Sequence, residues 1–336
     1  MSVKVAINGF GRIGRLAFRL MFGNPDFEIV AINDLTDAQQ LAYLLKYDSS
    51  QGRYGRQVSY AGTDIIVEGK KIPVFSQKDP LLLPWKEYQV DVVLECTGIF
   101  TTREKAGFHL QAGAKKVVLS APAKDKDIPT VVFGVNENIL TGNETIVSAA
   151  SCTTNCLAPI AKILDDSFGI IRGFMTTVHA YTNDQITLDG PHKAGIASRR
   201  GRTAAANIVP TTTGAAKAVS LVLPQLKGRL DGIALRVPVV TGSVVDLVVE
   251  LNTPVTKEMV NSAVKTAQSD TVGYTEDPIV SSDVIGITQG TMFDSLMTTV
   301  LEVDGKQLVK VVSWYDNEMS YTAQMIRTLK HFAELL

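Results

Sequence analysis

Cysteine is scarce in this chain: three in 336 residues, Cys96, Cys152 and Cys156. Three is too few for a disulfide framework and odd in number, which excludes a small stapled scaffold, suits a reducing compartment and makes the cytoplasm the expected location. Long apolar runs are missing as well. No stretch approaches the roughly 18 uninterrupted apolar residues of a membrane-spanning helix. The opening Met1-Ser2-Val3-Lys4-Val5-Ala6-Ile7 enters a strand pattern at once, without the apolar core of a secretion signal. A soluble chain with no membrane partner is expected. Excess charge of either sign is also lacking, since 33 basic and 34 acidic side chains leave a formal net charge of -1. That balance supplies no chain-wide attraction to nucleic acid, and no nucleic-acid partner is indicated.

What is present is ordinary globular composition, 45% hydrophobic and 20% charged, at a length that corresponds to about two domains. Val3–Asn8 reads as a buried strand, Gly11–Phe22 as a helix with Ile13, Leu16, Ala17 and Leu20 on one stripe, and Glu28–Asn33 as a second strand. Short β-branched runs at 90–96, 116–120 and 145–148, separated by helix-compatible segments such as Thr102–Ala112, continue the alternation to about residue 150. The pattern predicts an α/β fold with a doubly wound parallel sheet. After Ser151 comes a helix over Cys152–Phe168, then longer strand candidates at 173–180, 233–240, 244–251 and 298–303, which predict a mixed or antiparallel second domain. Residues 183–207 lack a period and read as a long loop, and Met319–Leu336 has helical spacing suited to packing back on the first domain.

Asn8-Gly9-Phe10-Gly11-Arg12-Ile13-Gly14 places a G-x-G-x-x-G match between a strand and a helix, where it can bind a dinucleotide. Gly9 permits the tight turn, Gly11 lets backbone N–H groups approach a pyrophosphate, and Gly14 allows close helix–sheet packing. Asp34 ends the next strand 20 residues after Gly14, where a carboxylate accepts from ribose hydroxyls and repels a 2′-phosphate. NAD is therefore expected rather than NADP; the plainer alternative for Asp34 is a strand-end turn residue.

Cys152 opens a helix, a position that shifts a thiol toward thiolate and makes it a candidate nucleophile, although a cysteine is otherwise a small hydrophobe. His179, at the end of a strand, is the best-placed base among four histidines; His109, His192 and His331 are expected at the surface or in packing. Cys156 and Cys96 read as structural. A zinc site on Cys152 and Cys156 lacks a second ligand pair, so no metal is expected. Thr211-Thr212-Thr213-Gly214 precedes another helix start suited to an oxyanion, and Arg200 and Arg236 lie where a loop and a strand could meet the same anion. An ordinary cap and solvated arginines are the alternatives.

NGFGRIG, NDL after the second strand, SCTTNC, HAYTNDQ, PTTTGAAKAV and WYDNE together resemble the phosphorylating glyceraldehyde-3-phosphate dehydrogenases over nearly the whole chain. The resemblance implies a Rossmann NAD-binding domain of residues 1–151 completed by the C-terminal helix 317–336, and an α+β catalytic domain over 152–316. It also implies a homotetramer of glycolysis acting on glyceraldehyde 3-phosphate and inorganic phosphate. Carried over by position, it makes Cys152 the nucleophile and His179 the base. NAD would rest on Arg12, Ile13, Asp34, Lys78, Ser120 and Asn317 besides the glycine turn. Thr182 and Arg236 would hold the substrate's phosphate, and Ser151, Thr153, Arg200, Thr213 and Gly214 the neighbouring anion. Lys78 stands where many members carry arginine and Ser320 where glycine is frequent; Arg199 and Arg200 both remain candidates for the anion. Erythrose-4-phosphate dehydrogenase is the nearest alternative, and a dinucleotide-sensing protein without turnover is one of another class.

Overall fold

The computed structural model describes residues 2–336. β1 (Val3–Asn8), α1 (Arg12–Met21) and β2 (Phe27–Asn33) form the opening unit. They are followed by α2 (Ala38–Lys46), β3 (Val58–Ala61), β4 (Asp64–Val67), β5 (Lys70–Phe75) and β6 (Val92–Glu95), then α3 (Arg103–Gln111), β7 (Lys116–Leu119) and β8 (Ile146–Ser148). The second half runs α4 (Cys152–Phe168), β9 (Ile170–Ala180), β10 (Val209–Thr212), α5 (Ala215–Val222), β11 (Leu230–Val237) and β12 (Ser243–Leu251), then α6 (Lys257–Thr266), β13 (Val272–Thr275), β14 (Thr291–Val303), β15 (Lys306–Tyr315) and α7 (Met319–Glu334). The chain divides into two units, one of Met1–Ser151 with Thr322–Leu336 and one of Cys152–Tyr321.

In the first unit six parallel strands lie in the order β5-β2-β1-β6-β7-β8. Their short runs, such as Val92-Val93-Leu94 and Val117-Val118-Leu119, are fully buried, as parallel strands covered on both faces must be. The order reverses between β1 and β6, which places a crevice at their carboxyl ends. An antiparallel excursion, β3-β4-β5, extends the sheet at one edge. It went unread in the sequence, where the strands are only four to six residues long and exposed on one side. From Thr322 onward α7 belongs to this unit. The buried Lys116 ammonium donates to the carbonyls of Phe332 (3.0 Å) and Leu335 (3.2 Å) and sits 4.1 Å above the Phe332 ring.

The second unit is a mixed seven-stranded sheet, β10-β11-β9-β12-β15-β14-β13, in which only β11–β9 and β13–β14 are parallel. Along β12 burial alternates, with Ser243, Val245, Leu247 and Val249 inward, as expected when one face meets the core. α4 packs on β9, β12, β14 and β15. The strand boundaries differ from the pattern in instructive ways. β11 stops at Val237 because Pro238 has no N–H to donate. β14 begins at Thr291, not at 298, because its register with β15 breaks between Asp294 and Thr299 and hides the alternation. β14 and β15 are joined by Asp304-Gly305, both at positive φ (51° and 72°), the two-residue turn whose twist matches the flanking strands.

Candidate active site

In β9 the alternation turns Met175, Thr177 and His179 to the buried face, toward the helix that Cys152 opens. Cys152 Sγ lies 3.3 Å from His179 Nε2. On the other side of the ring, Nδ1 is 2.6 Å from the Ala180 carbonyl, a separation that requires Nδ1 to carry the proton and donate. Nε2 therefore presents its lone pair to the thiol, the tautomer a base needs. Arg236 is in register with His179 on the adjacent β11. Its Nη1 donates to the Ala180 carbonyl (3.1 Å) and to Thr182 Oγ1 (3.3 Å) and stands 3.0 Å from Nδ1. Its Nε is buried with no acceptor among the described residues. A half-buried guanidinium whose buried Nε is an unused donor fits an anion from outside the chain.

Burial and then the Arg236 charge hold the His179 imidazole down, to about 3, so the ring is neutral at physiological pH. The sequence led us to expect a thiol already shifted toward thiolate. In the structure burial instead pushes the Cys152 thiol up, outweighing the downward pull of Arg236 and of the donors opening α4. Both shifts favour the neutral thiol–imidazole form of the pair over the ion pair. Tyr315 fixes the two elements that carry it. Its buried hydroxyl bonds Thr153 Oγ1 on α4 (2.9 Å) and Thr177 Oγ1 on β9 (2.8 Å), and its ring meets the His179 ring edge-on at 5.9 Å. Sequence reasoning did not single out this tyrosine, although it lies in the WYDNE segment.

The other predicted residues of this unit are placed as follows. Thr153 is buried with its hydroxyl on Tyr315. Arg200 pairs with Asp184 and donates to Thr211 Oγ1 at 3.2 Å, and its charge acts on both His179 and Arg236. Arg199, in contrast, is exposed at φ 58°, and among the described residues its side chain reaches only the Pro210 carbonyl. Thr213, just before the Gly214 N-cap of α5, accepts from Ala215 N (3.1 Å), and Gly214 is exposed. No hydrogen bond among the described residues ties either to Cys152 or His179. Asn317 is buried, its Oδ1 accepting from Ser243 (2.8 Å) and Thr241 (3.3 Å). Cys156 is fully buried, pushed up to about 12 by that burial. Among the described residues no three His, Cys, Asp or Glu side chains gather closely enough to hold a metal.

In the first unit the glycine turn has the shape a dinucleotide requires. Gly9 has φ 92°, and a Cβ there would come within 2.8 Å of Thr97 N; one at Gly14 would run into the Gly9 carbonyl oxygen. Around Gly11 the space is open, and α1 starts there without a side-chain cap, the helix end whose dipole suits an anion. Asp34 accepts from Phe10 N (2.7 Å) and Thr36 N (2.9 Å), so it is a turn residue and at the same time a half-exposed carboxylate with lone pairs to spare. Arg12 is paired with Asp48 at 2.5 Å, Ile13 and Ser120 are half-buried, and Lys78 is exposed. Ser151 closes the unit, half-buried. These residues fit NAD. A 2′-phosphate about 4 Å from the Asp34 carboxylate would cost on the order of 4 kcal/mol at an effective dielectric of 20, an upper bound for a half-exposed group. Asp34→Ala is accordingly expected to raise the NADP-to-NAD ratio of kcat/KM at least about tenfold. An unchanged ratio would show that another residue sets the preference.

A doubly wound sheet with this turn, joined in one chain to a unit carrying a thiol–imidazole pair beside an unsatisfied arginine, defines a nicotinamide-dependent dehydrogenase of the cysteine-using kind. Comparison with known proteins narrows the class. Residues 3–103 match the family model "Glyceraldehyde 3-phosphate dehydrogenase, NAD binding domain", and residues 151–317 match "Glyceraldehyde 3-phosphate dehydrogenase, C-terminal domain". The glyceraldehyde-3-phosphate dehydrogenase of Clostridium pasteurianum is 60% identical over 332 residues, 99% of each chain. That of Streptococcus pyogenes is 58% identical over 336 residues, 100% of this chain and 99% of its own. The chain belongs to the glyceraldehyde-3-phosphate dehydrogenase family. No helix among the described residues is long and apolar enough to cross a membrane.

Proposed function

We propose that this chain oxidises glyceraldehyde 3-phosphate to 1,3-bisphosphoglycerate with NAD and inorganic phosphate, through a thioester on Cys152. The observation that carries the reading is the 3.3 Å contact between Cys152 Sγ and the lone-pair side of His179 Nε2. His179 takes the thiol proton as sulfur adds to the aldehyde carbon. The imidazolium so formed and the N–H groups opening α4 steady the oxygen that becomes anionic. Thr182 and Arg236 hold the substrate's phosphate, Arg236 with the Nε that no protein group satisfies. NAD held on the first unit would supply the acceptor for the hydride lost from the hemithioacetal carbon. Cys152 is then acylated, and the acyl group retains the energy of the oxidation. Ser151, Thr153, Arg200, Thr213 and Gly214 hold the inorganic phosphate that displaces sulfur, and His179 returns a proton to the departing thiolate. Of the two loop arginines, Arg200 is the one whose charge reaches His179.

Residues 1–151 with 317–336 serve as the NAD domain and 152–316 as the catalytic domain. Gly9, Gly11, Arg12, Ile13, Gly14, Asp34, Lys78 and Ser120 would hold NAD, and Asn317 would meet its carboxamide. A homotetramer accounts for large apolar side chains exposed in the second unit, among them Ile196 (98% exposed) and Phe174 (72%), and three free cysteines suit the cytoplasm. The test is an assay on purified protein: NADH should appear only when aldehyde, NAD and phosphate or arsenate are all supplied. Equal NADH without phosphate, or a higher kcat/KM with erythrose 4-phosphate, would overturn the assignment.

A further inference from the structure

The first unit buries two titratable side chains that the chemistry above does not use. Glu95 ends β6 and His109 lies on α3; both are essentially inaccessible to solvent. The Trp85 indole, which can only donate, gives its Nε1–H to His109 Nδ1 at 3.0 Å. Nδ1 is therefore unprotonated, and His109 donates from Nε2 to Glu95 Oε2 at 3.1 Å. The same oxygen accepts from Asn8 Nδ2 at 2.5 Å. The other, Oε1, accepts from Thr97 N at 2.7 Å and from the Thr97 hydroxyl. Four donors thus converge on one carboxylate.

From Glu95 the bonds run along the carboxyl ends of the central strands. Asn8, the last residue of β1, accepts at Oδ1 from Asn33 Nδ2 (2.7 Å), and Asn33 is the last residue of β2. Asn33 in turn donates to the Gln77 carbonyl (3.0 Å) and accepts from Gln77 N (2.9 Å), in the loop after β5. The residues that follow these anchors are Gly9, Asp34 and Lys78, three of those assigned to NAD. Thr97, held by Glu95 on the fourth loop, supplies the backbone wall against which Gly9 rests.

We propose that Glu95 and His109 are positioning residues for the dinucleotide: through one shared network they set the spacing of the four loops that receive it. The inference rests on the reading that this unit binds NAD. Stability alone does not call for such a network, since apolar side chains of similar volume would fill the space without desolvating a carboxylate. What the polar version adds is fixed placement of the loops, because each bond tolerates only a few tenths of an ångström.

The tautomer supplies the test. Calorimetric titration of the full protein with NAD and with ADP-ribose, alongside thermal melting and steady-state kinetics, would compare His109→Leu, His109→Gln and the parent. Leucine leaves Glu95 short of a donor and the indole N–H without an acceptor. It should raise both dissociation constants about tenfold and leave kcat at saturating NAD within about twofold. The glutamine amide can donate to Glu95 and accept from Trp85, and should bring both constants back to within about twofold of the parent. If His109→Leu melts lower but binds NAD like the parent, or if glutamine binds no better than leucine, the network is only structural and the inference falls. Should His109→Leu fail to fold, Thr97→Val decides: it removes one hydroxyl donor at the half-exposed end of the network. A rise in the constants of about threefold supports the proposal and unchanged binding overturns it. If the parent does not bind NAD, the reading of the unit falls and the inference with it; if the parent binds and the variants bind equally, the inference alone falls.

Discussion

Cys152→Ser is expected to lower kcat on the order of 10⁴-fold or more, while the dissociation constant for NAD changes less than about twofold. A serine hydroxyl is far less acidic than a thiol, and the neutral His179, held down to about 3, is too weak a base to make an alkoxide at appreciable rate. Even if an ester formed, oxygen is a poorer leaving group than sulfur, so phosphate would displace it slowly. NAD binding is spared because the glycine turn and Asp34 belong to the other unit. Steady-state NADH formation and calorimetry on the same preparation check both halves. Retention of more than about a tenth of the parent rate would count decisively against a covalent route.

His179→Asn should show two effects that separate its roles. At neutral pH the rate should fall about 10²- to 10⁴-fold, the usual worth of a positioned base, since an amide cannot take the thiol proton. The second effect is on stability. With a folded-state value near 3 against an ordinary 6.5, the unfolded chain takes up a proton first as pH falls. The neutral imidazole's contribution is complete above about pH 6.5 and is lost progressively between there and about 3. The variant has no such group, so its loss of stability across that window should be shallower than the parent's. Urea unfolding at a series of pH values measures this. Parallel curves for the two proteins would mean that His179 is not held neutral.

The parts of the fold and site that could be read from the sequence share one property: their signal is local. The glycine turn between β1 and α1, the helix that Cys152 opens and the alternation that turns His179 inward all lie within one turn or strand and its flanks. What stayed hidden depends on segments that meet only in three dimensions. The hydrogen-bond partners of His109 could not be read locally, because Glu95 and Trp85 are 14 and 24 positions away. Tyr315 is 162 residues from Thr153, and nothing in its neighbourhood announces that pairing. The direction of the Cys152 shift is hidden for a related reason. Position at a helix start is visible in the sequence and argues for a lowered value, whereas burial, which wins, is a property of the packed unit. The β3-β4-β5 excursion escaped notice because an edge meander of short, half-exposed strands carries little periodicity.

The Lys116 ammonium, seated on carbonyls 216 and 219 residues downstream, has a consequence for biosynthesis. A ribosome delivers the dinucleotide unit's strands first, yet the segment that satisfies this buried cation is translated only after the whole of the other unit. The dinucleotide unit therefore cannot close until the last segment of the chain has been made. Until then the nascent chain carries an incomplete subdomain, the stage at which a holding chaperone has most to protect.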